Sequence, residues 1–218
     1  MINVLTYFTN VESLSIIDTR KKLFTDLPEN VIHFLLNRNR ISDRGIIAWA
    51  LLVRAFEDIG IRIGDEKIMV NGGGKPFFVD SDYYFSLSHS YDRVICSIAD
   101  QEVGCDVQKV IDNDYRIVRR FFHPYEYEKI QSIDNVEEKK QTFYRYWVLK
   151  ESFLKATGKG LSTSLDSFYF DLDNITTIKQ TKDNKTYNFR EYNIGDDYHY
   201  AVCSTNTCFS ESMARIDF

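Results

Sequence analysis

The sequence predicts an α+β protein built as two similar halves, and three observations lead there. Apolar residues recur at helical spacing once in each half, within residues 27–59 and again over 144–161. Short runs rich in β-branched and aromatic residues, bounded by turn formers, surround each of these stretches. Finally, SYDRVICS at 90–97 is echoed by DDYHYAVCS at 196–204, as if each half finished a sheet in the same way. With 218 residues, 44% hydrophobic and 15% aromatic, the chain has enough apolar surface for a core of this size. The halves are expected to meet near residues 100–110.

In chain order, residues 1–8 read as a first strand. Residues 27–59 read as mainly helical, and their second part, RGIIAWALLVRAFEDIG, stops at Gly60. Ser42 is its candidate N-cap, and Arg44 lies in the first turn. A helix N-terminus favours anions, and an arginine beside it offers a fork that fits phosphate. The competing reading of Arg44 is an ordinary surface residue. KIMVNGGGKPFFV at 67–79 reads as strand, turn at Asn71-Gly72, and extended segment. Its Gly-Lys is not a phosphate-binding P-loop, because Pro76 follows Lys75 where that motif needs Ser or Thr and then a helix. What remains is a lysine beside a rigid proline.

YYFSLSHS at 83–90 is a strand that puts Phe85 and Leu87 on one face and Ser86 and Ser88 on the other, with His89 near its end. RVICSIA follows at 93–99. In VGCDV at 103–107, Val103, Cys105 and Val107 point one way, and Gly104, Asp106 and then Gln108 point the other. Asp106 is a carboxylate in an apolar strand. It is either hydrogen-bonded to a nearby turn or an oxygen ligand of a hard cation, with Gln108 beside it. Residues 112–131 read as helical, carrying Arg116, Arg119 and Arg120, with Pro124 starting a new turn. Residues 132–142 are a polar lead-in. Further strands are expected at 168–172, 177–182, 187–192 and 198–204.

YRYWVLKESFLKATGKGL at 144–161 is the stretch the chain is organised around. Its helix should end at Gly158. Phe143, Tyr146, Trp147, Leu149, Phe153 and Leu154 form one broad apolar arc, with Lys150 inside it and Glu151 and Lys155 at its rim. Glu151 and Lys155 are either a plain i,i+4 ion pair or a metal ligand and a phosphate-binding lysine. Lys150 either snorkels to water or meets something anionic.

Composition narrows the partners. A formal net charge of −5 argues against a general nucleic-acid binder but allows an anionic small ligand where positive charge is gathered locally. Cys96, Cys105, Cys203 and Cys208 make no CxxC pair, and the first three sit in strand-like runs, so buried free thiols and a reducing compartment are expected. The start, MINVLTYFTN, lacks the basic and apolar regions of a signal peptide, and no apolar run approaches the ~20 residues of a membrane span. A soluble, cytoplasmic protein without membrane contact is expected.

Four blocks considered together carry more than any one of them: GKP at 74–76, FSLSHS at 85–90, VGCDVQ at 103–108 and WVLKESFLKATGKGL at 147–161. In this order and spacing they resemble the 4′-phosphopantetheinyl transferases of the larger, surfactin-synthetase-activating type. The likeness extends from the Arg44 helix to LDSFYF at 165–170. It implies a monomer with pseudo-twofold symmetry, each half a small antiparallel sheet packed on a long helix. Residues 1–104 would form the adenosine and 3′-phosphate side, and 105–218 the metal and pyrophosphate side. The implied reaction moves the phosphopantetheine arm of coenzyme A onto a serine of an acyl or peptidyl carrier protein, leaving 3′,5′-ADP, with Mg²⁺ (or Mn²⁺) on the pyrophosphate.

By the same resemblance, Asp106 and Glu151 match the metal carboxylates and Gln108 the third ligand position. Lys155 matches the lysine near the pyrophosphate. Ser88 and His89 match the pair near the 3′-phosphate and adenosine, Arg44 the helix arginine, Lys75 and Pro76 the adenosine side, and Lys150 the lysine before the metal glutamate. A serine hydroxyl needs a base as it attacks, and Glu151 is the nearest candidate, acting directly or through a metal-bound water. The chain departs from the family pattern at Gln108, where Glu is usual, at Ser86, where Asn is common, and before Arg44, where some members carry lysines and this run has none, with Arg38 or Arg40 the candidates to stand in.

Overall fold

The computed structural model describes residues 3–11, 16–38, 42–64, 66–112, 116–174, 178–180 and 185–218. The first half opens with β1 (Leu5–Asn10), followed by α1 (Ile16–Asp26), α2 (Glu29–Leu36) and α3 (Asp43–Asp58). A hairpin of β2 (Ile68–Val70) and β3 (Pro76–Phe78) comes next, then β4 (Tyr84–Ser90) and β5 (Arg93–Ala99). The second half holds β6 (Val103–Lys109), α4 (Arg116–Phe121), α5 (Pro124–Gln131) and α6 (Val136–Thr157). It ends with the ribbon strands β7 (Phe168–Phe170) and β8 (Ile178–Gln180), then β9 (Asn188–Tyr192), β10 (Tyr198–Ser204) and β11 (Ala214–Arg215).

Two sheets carry this α+β fold. One has the order β11-β1-β5-β4, antiparallel except that β11 lies parallel to β1; the other is antiparallel with the order β6-β10-β9. The echoed segments fall on β5 and β10, which occupy interior positions of the two sheets. Helix α3 packs on the first sheet through Leu52, Phe56 and Trp49, whose ring meets Phe85 edge-on. Helix α6 packs on the second through Tyr146, Leu149 and Phe153, with Ala201 and Cys203 from β10. A third apolar layer, including Phe8, Ile95, Cys105, Val107 and Val202, joins the two sheets to each other.

The alternation expected along β6 therefore has a structural purpose. Cys105 and Val107 enter the layer between the sheets, while Gly104 and Asp106 face α6. A Cβ built on Gly104 would lie 2.1 Å from the Ser152 carbonyl and 2.2 Å from the Ala156 nitrogen. Only hydrogen fits there, and the missing side chain lets the helix lie directly on the strand that carries Asp106.

Several elements differ from expectation. The first strand runs over Leu5–Asn10 rather than 1–8, of which residues 1 and 2 lie outside the described residues. Helix α1 was not expected at all. Helix α6 starts at Val136, so the polar stretch 136–142 is helix: Asn135 caps it by accepting from the Glu138 N–H, and acidic Glu137 and Glu138 suit its first turn. It ends as expected, with Gly158 at φ 66° in the left-handed region. Residues 104 and 105 both lie within β6, whose pairing with β10 starts at Val103. The halves are also not separate stretches of chain: β11 returns to the edge of the first sheet, and the Ile216 N–H donates to the Phe8 carbonyl.

Candidate active site

Between the halves lies a cleft of about 550 Å³. Ser42, Gly45 and Trp49 of α3 and its cap form one wall, Ser88 and His89 of β4 the next, and Asp106 and Gln108 of β6 the floor. Trp147, Glu151 and Lys155 of α6 face them. A neighbouring recess of about 280 Å³ shares Gly74, Pro76, Leu87, Glu151 and Lys155 and is closed by Lys75, Phe85 and Leu154.

The electrostatic centre of the cleft is Asp106, only 2% exposed. Its Oδ1 accepts from the Ser88 hydroxyl at 2.7 Å and from the Lys155 ammonium at 2.6 Å. Its Oδ2 accepts from the Gln108 amide at 3.1 Å. Lys155 also donates to the Ser88 Oγ at 2.8 Å. Burial pulls the Lys155 pKa down, but the Asp106 carboxylate against it outweighs that and leaves it raised. Glu151, one turn before Lys155, accepts no hydrogen bond from the described residues. Burial and the Asp106 charge both push its pKa up, with Lys155 opposing. The cleft thus holds two neighbouring carboxylates and a single ammonium bonded to one of them. His89 is pushed below its ordinary pKa by desolvation first, then by the charges of Lys155 and Arg44.

This donor set fits a hard divalent cation. Asp106, Glu151 and Gln108 offer oxygen only, and the repulsion that raises Glu151 is what a second positive charge would relieve. The lysine on Asp106 shows that this carboxylate takes a cation at close range. As placed, however, Gln108 turns its NH₂ toward Asp106 and its Oε1 toward the Ser90 hydroxyl, 3.5 Å away. A carboxylate only accepts hydrogen bonds, so the amide presents its donor side.

Residues 102–203 match the family described as the 4′-phosphopantetheinyl transferase superfamily. The 4′-phosphopantetheinyl transferase gsp of Aneurinibacillus migulanus is 37% identical over 136 residues, which span 61% of this chain and 56% of that protein. The 4′-phosphopantetheinyl transferase Sfp of Bacillus subtilis (strain 168) is 34% identical over 148 residues, 66% of either chain. Another 4′-phosphopantetheinyl transferase from Bacillus subtilis is 31% identical over 180 residues, 81% of this chain and 78% of that one. The chain belongs to this superfamily.

Against what the phosphopantetheinyl transferase pattern implies, the structure brings Asp106, Gln108, Glu151, Lys155, Ser88, His89 and Pro76 to one cleft. It does not bring Lys150 there. That ammonium is fully buried on the far side of α6, where it pairs with Glu126 at 2.8 Å and donates to the Leu165 and Phe168 carbonyls at 2.7 and 2.8 Å. Lys150 is therefore corrected from a phosphate contact to a strut inside the second half. Burial lowers it to about 8 against the pull of Glu126, which burial raises in turn.

Lys75 lines the recess but donates to the Val103 carbonyl at 2.6 Å, and burial lowers its pKa to about 8. Arg44 stands at the cleft's edge, its Nε donating to the Tyr91 carbonyl. Arg38 reaches the cleft wall, whereas Arg40 lies outside the described residues. The sequence reading gave no site role to Trp49 or Trp147, though each belonged to a strongly apolar helical face, and none to Ser90. No described helix is long and apolar enough to cross a membrane.

Proposed function

We propose that the protein transfers the 4′-phosphopantetheine group of coenzyme A to a serine of an acyl or peptidyl carrier protein, releasing 3′,5′-ADP. One observation carries this reading. A strand carboxylate, a helix carboxylate and a lysine converge in a cleft whose other wall is a helix N-terminus flanked by His89 and Arg44. That is a site for a chain of phosphates, with one end suited to a bridging cation and the other to a terminal phosphate.

In this proposal the adenosine lies against Pro76 and the Lys75 loop. The 3′-phosphate sits by His89, Arg44 and Arg38, and the diphosphate by Ser88 and Lys155. Asp106 and Glu151, with Gln108 as the third position, are the residues that would hold Mg²⁺ or Mn²⁺. Such an ion would supply positive charge to the diphosphate oxygens, offsetting the charge that grows on the leaving group. Lys155 adds a positive charge on the same oxygens. The carrier serine Oγ attacks the phosphorus bearing the pantetheine arm, and the bond to the 3′,5′-ADP oxygen breaks. Glu151, the carboxylate nearest the diphosphate position, takes the serine proton.

Arg119 and Arg120, exposed on α4, give an acidic carrier a face of opposite charge; the Arg116 side chain lies outside the described residues. We take the two sheet-and-helix units as pseudo-twofold halves joined at 100–102, acting as a monomer. Three buried free cysteines suit the reducing cytoplasm.

The test is incubation of purified apo-carrier proteins with coenzyme A and Mg²⁺, read by mass spectrometry of the carrier and by release of 3′,5′-ADP. Transfer to at least one carrier is expected. Tight coenzyme A binding without transfer to any of a broad carrier panel would make the protein a binder that lacks the chemistry.

A further inference from the structure

We propose that Ser86 and Ser90 are positioning residues for the transfer reaction: with Ser88 they form a side-chain ladder that fixes how the two halves meet across the cleft. The proposal rests on the transferase reading above. Strand β6 is the edge of its sheet, so the N–H groups of alternate residues point away from β10 and have no ladder partner. Buried N–H groups do not stay unpaired. Here they meet hydroxyls: Cys105 N–H donates to Ser86 Oγ at 3.0 Å, Val107 N–H to Ser88 Oγ at 3.4 Å, and Lys109 N–H to Ser90 Oγ at 3.1 Å.

The spacing of two residues on both strands is what makes three rungs possible, since successive side chains on β4 alternate faces just as successive N–H groups on β6 alternate edges. All three serines are buried, at 2%, 6% and 9% exposure. The middle rung is also the one that donates to Asp106 and accepts from Lys155. The outer rungs therefore decide where Asp106, carried by the second half, stands relative to His89 and Pro76, carried by the first.

The test uses Ser86→Ala, Ser90→Ala and the hydroxyl-retaining Ser86→Thr and Ser90→Thr. A loss of register moves the diphosphate site relative to the nucleotide site, so kcat for transfer should fall about tenfold to a hundredfold in the alanine variants. Affinity for adenosine 3′-phosphate, whose proposed contacts all lie on the first half, should change little, and threonine should restore the rate. An alanine variant with unaltered kcat, equal losses in kcat and adenosine 3′-phosphate affinity, or threonine variants as slow as alanine would overturn the proposal. A second measurement needs no variant. In the unaltered protein the Cys105, Val107 and Lys109 amides should exchange hydrogen as slowly as amides paired within the β5 ladder, and rapid exchange at all three would overturn the ladder itself. If the unaltered enzyme transfers nothing, the transferase reading fails instead, which the same assay reports separately.

Discussion

On helix α6, Lys150 and Lys155 lie little more than a turn apart, and the clusters around them are built oppositely. Lys150 is sealed. All three of its ammonium hydrogens have acceptors, in Glu126 and two carbonyls, and Glu126 also accepts from the Phe170 and His123 N–H groups at 3.0 and 3.3 Å. Positive and negative charge match one to one, and both side chains are buried. Lys155 is open. It shares a cleft with two carboxylates, one of which takes no hydrogen bond from the described residues. A matched buried pair has nothing left to bind, whereas an unmatched one facing a cleft attracts a cation. The difference separates a lysine that holds the second half together from a lysine that, in the proposed reaction, works on substrate.

The largest effect should come from breaking the sealed cluster. Glu126→Ala strands a buried ammonium, and a fall of about 3–5 kcal/mol in unfolding free energy is expected by urea denaturation. Glu126→Leu with Lys150→Met should recover most of it, because an apolar pair of similar size avoids the desolvation cost. If Glu126→Ala instead left stability intact and weakened coenzyme A binding, the sealed cluster would belong to the site after all.

The open cluster should respond the other way. Glu151→Gln removes the second carboxylate and with it the repulsion against Asp106, so stability should hold or rise. Transfer should fall about 10²–10³-fold, equivalent to about 3–4 kcal/mol of barrier. Steady-state kinetics alongside a denaturation curve reads both, and an active Glu151→Gln enzyme would remove the basis of the proposed mechanism.

The two clusters also differ in how far the sequence revealed them. The convergence of Asp106 with Glu151 and Lys155 was legible only through the family resemblance: strand alternation and the i,i+4 spacing of the helix are local rules that gave each residue's face, not their meeting. That Lys150 would either snorkel to water or meet an anion was legible too, from its place in the apolar arc, and the structure takes the second course. The partner's identity was not. Glu126 sits on α5, and nothing local to either residue says that two helices will bring them together. The resemblance matched Lys150 to the lysine before the metal glutamate, among the coenzyme A-binding residues, where the fold turns it to the other side of α6. The N-terminal turns of α6 were missed because EEKKQT carries no apolar period, and β11 because two residues carry no pattern at all.

Gly104 sharpens the comparison by testing the contact that brings α6 onto β6. Gly104→Ala drives a methyl into the Ser152 carbonyl, so the helix must lift from Asp106. A cost of about 1–3 kcal/mol is expected, as for overpacking elsewhere, with transfer falling further than stability alone explains.

Lys75 lies between the two cases, a partly buried lysine donating to the Val103 carbonyl. Burial lowers its folded pKa to about 8, while the unfolded chain keeps the ordinary value of 10.5. Between these values the unfolded state holds a proton that the folded state has released, so stability from this group rises with pH across that window. Lys75→Met should remove that rise, an effect of order 1 kcal/mol between pH 7.5 and 10, read by urea denaturation at each pH. Parallel pH profiles for the two proteins would mean the ammonium is better solvated than its place in the recess implies.

The smallest expected change is the most informative about the open cluster. Gln108 donates to Asp106 because an amide can, and a carboxylate there cannot. Gln108→Glu therefore trades a hydrogen bond for a third negative charge. Without divalent cation the variant should be less stable by about 0.5–1 kcal/mol, the loss of one hydrogen bond's net worth. With Mn²⁺ added in the absence of coenzyme A, followed by calorimetry, binding should tighten by about tenfold, or about 1.4 kcal/mol, because site charge sets the affinity for a hard cation. Both shifts follow from one cause, so they should appear together. Tighter Mn²⁺ binding without the stability loss would mean that Gln108 already turns its oxygen inward, and unchanged Mn²⁺ binding would place the side chain outside the ion's reach and leave Asp106 and Glu151 as the carboxylates of an open pair.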